Sequence, residues 1–161
     1  MVRNMPINSR TKGKQGELEF RNIMIDLTGF DINRNLDQTR AGGHDLDGLP
    51  FAMEIKRYKE ITRGEIVAFW RQAVEQSETA GLPPALAYRE NAKKWKVVIP
   101  LALIYHGSWK HCEECNVVHP PEWLDDFEYT VTMEIDAFAY ICREMVSADA
   151  EIEMLNSGVK H

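Results

Sequence analysis

Apolar residues at Phe20, Ile23, Met24 and Leu27 fall at the i, i+3, i+4, i+7 spacing of a buried helical face, and Gly29 follows as a terminator. The spacing predicts a helix over 13–28. It also sorts the helix acids. Glu17, three residues before Phe20 and seven before Met24, lies at the edge of the inward face, while Glu19 groups with Asn22 and Asp26 outside. Further on, "FDINRN", "HDLDG" and "FAMEIKRY" read as three strands, the last two split by Pro50. "TRGEIVAFWRQAVEQSETAG" reads as a helix: Thr62 and Glu65 form a capping box, and Gly81 with Pro83 and Pro84 closes it. Ile66, Phe69, Trp70 and Ala73 make its apolar stripe, a core face rather than a base-stacking surface.

"PALAYR" and "WKVVIPLALIY" are expected as core strands joined by the polar turn "ENAKK". "YTVTMEI" is expected as a further strand before the amphipathic segment "DAFAYICREM". Helix, three strands, helix, two strands and a C-terminal elaboration make an α/β pattern. The expected division is a core over residues 1–101 and an elaboration over 102–161, packed on the same domain.

Within "FAMEIKRY" alternation puts Phe51, Met53 and Ile55 on one face and Ala52, Glu54 and Lys56 on the other. An acid and a base thus share a face of a strand otherwise built for a core. If the chain reverses at Leu49-Pro50, Asp45 stands opposite Glu54 and Asp47 opposite Ala52. Leu-Pro is a poor two-residue hairpin turn, and parity does not choose between the two aspartates; only register does.

The 161 residues, 44% hydrophobic and 27% charged, suit one globular domain, with no apolar run of the ~20 residues a membrane span needs. The basic N-terminus lacks the apolar region of a secretory signal, and three cysteines make no disulfide framework, so a reducing cytoplasm is the expected compartment. The net charge of -6 is unevenly spread: residues 1–101 hold 16 Lys and Arg against 13 Asp and Glu, residues 102–161 only 3 against 12. Basic residues gather around the acid-bearing strand: Arg10, Lys12 and Lys14 before it, Arg40 at its edge, Lys56, Arg57 and Lys59 on it, Lys93, Lys94 and Lys96 after it. Such a surface suits a phosphate backbone or a solvated mixed-charge face.

Two carboxylates a side-chain contact apart, with Glu17 approaching from the first helix, repel one another unless a hard cation joins them. Mg²⁺ or Mn²⁺ is the natural occupant: it polarises a phosphodiester and activates the attacking water. Lys56 would hold or deprotonate that water and offset phosphate charge.

The order helix-Glu, strand-Asp, strand Glu-x-Lys and an Arg/Gln-bearing helix resembles the PD-(D/E)XK nuclease superfamily, and within it the Holliday junction resolvase-like proteins of archaea and phages. The resemblance runs over residues 12–101, in "KGKQGELEF", "RAGGHDLDGLPFAMEIKRYK", "WRQAV", "PALAYR" and "WKVVIPL". It implies a restriction-endonuclease-like core with a central mixed sheet flanked by helices, a divalent-metal-dependent endonuclease acting on branched DNA, and a homodimer, in the host cytoplasm if phage-encoded. By the same resemblance Glu17, Asp45 and Glu54 hold the metal, Lys56 completes the catalytic pair, and Gln72 is the polar residue of the following helix. Lys12, Lys14, Arg40, Arg57 and Arg89 are candidate DNA contacts; Arg89 has the alternative of pairing near Glu90. The sequence departs from the pattern at His44, where the family usually has proline. A flap, single-strand or restriction-like nuclease, and a non-catalytic DNA-binding adaptor, are the competing readings.

Cys112-x2-Cys115 with His106, His111 and His119 has the ligand types of a structural zinc site. A lone CxxC without a second pair favours ordinary cysteines over zinc.

Overall fold

The first helix, α1, spans Ser9–Thr28 and ends at Gly29, whose φ of 74° is the left-handed terminator expected there. In the computed structural model, residues 9–36, 43–106 and 126–158 are described. After α1 come β1 (Asn33–Arg34), β2 (Leu46–Asp47), β3 (Ala52–Tyr58), α2 (Arg63–Ala80), β4 (Pro84–Glu90), β5 (Lys96–Pro100) and α3 (Leu101–His106). A 3-10 turn (Phe127–Tyr129), β6 (Thr130–Glu134) and α4 (Ile135–Gly158) follow. The capping box of α2 is formed as expected: Thr62 accepts from the Glu65 N–H, and Glu65 reaches back to the Thr62 N–H.

Four strands make a mixed sheet in the order β3-β4-β5-β6. β3 runs parallel to β4, and β5 is antiparallel to both β4 and β6. The parallel step needs a crossover, which α2 supplies. The other face carries α1 and α4, so the sheet is flanked by helices on both sides. On the α1 and α4 side, Phe20, Met24, Met53, Ile55, Val97, Ile99 and Phe138 form the larger core; on the α2 side Trp70, Ala73 and Val74 cover Leu86 and Val98. Each fully buried aliphatic side chain contributes about 1.5–3 kcal/mol, so the sheet is held rigidly from both faces.

Three expectations are corrected. "WKVVIPLALIY" is not one strand: β5 stops at Pro100 and α3 begins at Leu101. A proline cannot continue a ladder as a donor, and an unbroken apolar run carries no period that separates strand from helix. Second, β2 does not form a hairpin with β3 but pairs with β1, through Asn33↔Asp47 and Arg34↔Leu46. Third, Glu19 does not lie outside with Asn22 and Asp26; it is partly buried against the sheet, as described below.

The boundary expected at residue 101 falls within this continuous sheet. β6 pairs with β5 from Lys96↔Glu134 to Pro100↔Thr130, and Phe138 of α4 lies 6.4 Å from Phe20 of α1, ring centre to ring centre. Cys142, on the buried stretch of α4, is a core residue whose thiol burial pushes up to about 12. No helix among the described residues is long and apolar enough to cross a membrane.

Candidate active site

β3 is one of the two edge strands of the four-stranded sheet, and its outer edge is where Asp45 attaches. The Asp45 N–H donates to the Met53 carbonyl at 2.8 Å, and Asp45 Oδ2 accepts the Ile55 N–H at 2.6 Å. These two bonds bracket Glu54, so the two carboxylates meet without a hairpin. Both are buried, Asp45 at 3% exposure and Glu54 at 2%. Alternation turns Glu54 and Lys56 to the α2 face of β3, where Lys56 Nζ lies 2.5 Å from Glu54 Oε1. The other carboxylate oxygen, Glu54 Oε2, is buried with no hydrogen-bond partner among the described residues. Such an acceptor is costly unless a cation, water or donor meets it.

Burial, and then the negative charges of Glu54 and Glu17, hold the Asp45 carboxyl well above the usual carboxylate range; the Ile55 N–H and Lys56 pull the other way. For Lys56, burial works to lower the ammonium, but the charge and hydrogen bond of Glu54 outweigh it and leave it raised. Lys56 is therefore a cation at neutral pH, which suits it to neutralising phosphate charge and not to deprotonating water.

Glu17 reaches Asp45 through its field, while its Oε2 is held by Arg34 at 2.7 Å. Arg34, on β1, is a charged residue that inspection of the sequence did not single out. Its only signal was its place on a short strand between helix acid and motif aspartate. Asp47 points away: its Oδ1 is 2.8 Å from His44 Nε2 and its side chain is 59% exposed. His44, at the position where the sequence departs from the pattern, thus partners the aspartate outside the cluster.

Two of the candidate DNA contacts meet an acid. Arg57 lies 3.2 Å from Glu19, Arg89 pairs with the same carboxylate, and the Trp95 indole donates to it at 3.0 Å. Long arginine stems rising from β3 and β4 reach the helix edge, and Glu19 ties α1 to three strands or their flanks. Gly16 allows this close approach: a Cβ there would stand 3.0 Å from Arg57 Cβ. Gln72 is exposed on α2, one turn beyond Phe69, whose ring centre is 5.3 Å from Lys56 Nζ. Lys14 is exposed on α1. Arg40 lies outside the described residues, as do Cys112, Cys115, His111 and His119, and the side chains of Lys12 and His106 are not described.

Among the described residues no three acids, histidines or cysteines form a ready metal cage. Two buried carboxylates with one orphaned oxygen nevertheless match how Mg²⁺ is held in phosphoryl chemistry, by one or two carboxylates plus waters and substrate phosphates.

Residues 8–141 match the protein family described as "Phage putative PDDEXK endonuclease". The chain belongs to this family. The match runs through β6 into α4, well past residue 101. A curated relative is "Protein D14" of Escherichia phage T5, 26% identical over 116 residues, 59% of this chain and 72% of the relative. Among solved structures, the Holliday junction resolvase Hjc of Archaeoglobus fulgidus aligns with a TM-score of 0.36 at 21% identity, over 53% of this chain and 76% of that one. Membership of this family makes the chain a nuclease of the PD-(D/E)XK type, and nucleases of this type generally use divalent metals.

Proposed function

We propose that this nuclease is a Mg²⁺- or Mn²⁺-dependent endodeoxyribonuclease that hydrolyses phosphodiesters in branched DNA and acts as a homodimer. The observation that carries the chemistry is the buried Asp45–Glu54 pair with its unpartnered Glu54 Oε2 beside the Lys56 ammonium. Asp45 and Glu54 would hold the metal, with Glu17 adding a third negative charge. When bound, the ion supplies polarisation of the phosphodiester and a lowered pKa for the attacking water. Lys56 stabilises the charge that develops on the phosphate. Phe69 fixes the lysine from α2, and Gln72, a turn further on, would orient water or phosphate. What supports branched DNA is the order of motifs shared with junction resolvases.

The test is incubation of the purified protein with a four-way junction, a flap, a single strand and a plain duplex, with and without Mg²⁺ or Mn²⁺. Paired symmetric nicks in the junction are expected, from a protein whose mass in solution is that of a dimer. Faster cutting of the flap or single strand would replace the junction by those substrates. A folded protein that binds DNA and cuts none of them in either metal would be a binding module instead.

A further inference from the structure

Three alternate residues of β3 turn to the α2 face: Glu54, Lys56 and Tyr58. The first two serve the chemistry proposed above, and the third has no part in it. Tyr58 is 44% exposed at the end of an edge strand. Its ring lies on Phe69, with centres 5.5 Å apart and planes 10° from parallel, the offset stack favoured by aromatic pairs. Phe69 covers one face of the tyrosine, so its exposure falls on the other face and the hydroxyl edge. The ring is firmly based, because the Tyr58 carbonyl accepts the Asn91 N–H at 3.0 Å. The same Phe69 ring supports Lys56 Nζ at 5.3 Å, so one side chain of α2 sets both the lysine and the open aromatic.

A cleft lies on the β4 side of Lys56. The β4 neighbour of Lys56 is Tyr88, which with Ile61, Ile66, Glu90, Lys93, Lys94 and Lys96 lines a cleft of about 260 Å³. Lys93 pairs with Glu90 and Lys96 with Glu134, while Lys94 makes no ion pair among the described residues.

We propose that Tyr58, backed by Phe69, is a stacking subsite for an unpaired nucleobase beside the scissile phosphodiester, with Lys94 in that cleft facing a phosphate of the same strand. The proposal rests on the nuclease function above and specifies how its substrate is chosen. Inside a continuous duplex both faces of a base are taken by its neighbours. At a branch point, in a flap or in a single strand a face is free, and stacking on an aromatic side chain contributes about 1–3 kcal/mol per base without regard to sequence. Lys56 and Tyr58 are about 7 Å apart along the strand, so a nucleotide whose phosphate meets the lysine brings its base to the tyrosine.

The test uses the full chain in EDTA, so that nothing is cut, with 2-aminopurine placed at successive positions around the branch of a four-way junction, in a single strand and in a duplex. Binding should quench the fluorophore at one or two positions of the junction and in the single strand, but not in the duplex. Tyr58→Ala should abolish the quenching and weaken binding of both by about 5- to 150-fold, leaving duplex affinity unchanged, while Tyr58→Phe should behave as the parent. If Tyr58→Ala is not folded by thermal melting, Tyr58→Leu, which keeps an apolar contact with Phe69 and lacks a flat face, takes its place. Quenching and affinity that survive loss of the ring, or equal quenching in duplex, overturn the proposal. The two ideas fail separately: cleavage of DNA with no effect at Tyr58 removes the subsite alone, whereas quenching without cleavage in any metal removes the nuclease chemistry alone.

Discussion

Asp45 is fastened to the edge of β3 by its own functional group: Oδ2 accepts the Ile55 N–H at 2.6 Å. One oxygen is thus spent on positioning, and burial together with Glu54 and Glu17 raises the proton affinity of the whole carboxyl. Its folded pKa exceeds the unfolded value, so its contribution to stability is fully present below the ordinary carboxylate range and is lost as pH rises through the raised value. The metal-free protein should therefore lose stability as pH climbs from about 4 towards neutrality.

Asp45→Asn keeps an acceptor for Ile55 and removes the charge. It should flatten that pH dependence and raise the metal-free melting temperature at neutral pH, by about 2–4 °C for each kcal/mol of repulsion relieved. Cleavage should fall more than about a hundredfold, beyond what loss of an outer-shell partner costs. Asp47→Ala, which breaks only an exposed contact with His44, should stay close to the parent in both measurements. Equal loss of cleavage at the two positions would show that both aspartates serve the site.

Lys56→Met keeps the stem packed on Phe69 and deletes the cation that faces Glu54 at 2.5 Å. Single-turnover cleavage at saturating metal should drop by about 10²–10³-fold, the usual cost of one preorganised charge-stabilising group. A metal-induced rise in melting temperature should survive in the variant, since both carboxylates remain. A variant that no longer responds to metal would place Lys56 in ion binding rather than in charge stabilisation.

Much of this arrangement was legible in the sequence. The alternation of Phe51 to Lys56 placed Glu54 and Lys56 on one face, and the helix stripe put Glu17 at the inward edge. The register argument brought Asp45 to Glu54 although its premise, a hairpin, is absent; two hydrogen bonds from the chain before β3 achieve the same contact. What was not legible depended on reach across elements. Arg57 and Arg89 look like free cations in a charge count, and only the packing of α1 over β3 to β5 shows Glu19 beneath them. Arg34 was hidden similarly, its partner Glu17 lying seventeen residues earlier in the chain. The apolar run at 95–105 lacked a period, so its division at Pro100 was not readable.

The loop that delivers Asp45 gives another expectation. Gly48 has φ 103°, and a Cβ there would stand 2.2 Å from the Asp31 carbonyl oxygen. Gly48→Ala must push apart the β1 and β2 segments or abandon the conformation, at a cost of about 1–3 kcal/mol or more. Since β2 begins directly after Asp45, cleavage should fall with stability, and added metal should restore only part of the melting temperature. A Gly48→Ala protein as stable as the parent would mean that this loop relaxes freely.

Glu19 gives the last prediction. Its carboxylate satisfies Arg57, Arg89 and the Trp95 indole together, so Glu19→Ala leaves partly buried donors unpaired and should cost about 1–3 kcal/mol of stability. If the two arginines are structural, Arg57→Ala and Arg89→Ala should lower the melting temperature yet leave the salt dependence of DNA binding unchanged. If instead they contact phosphates, each substitution should reduce the slope of log K against log salt by about 0.9. The geometry favours the structural outcome, because an arginine already paired with Glu19 must break that pair before it meets DNA. Parallel measurement of melting temperature and salt slope for Arg57→Ala, Arg89→Ala and Lys94→Ala separates the two roles: the lysine, without an ion pair among the described residues, should change the slope and not the stability.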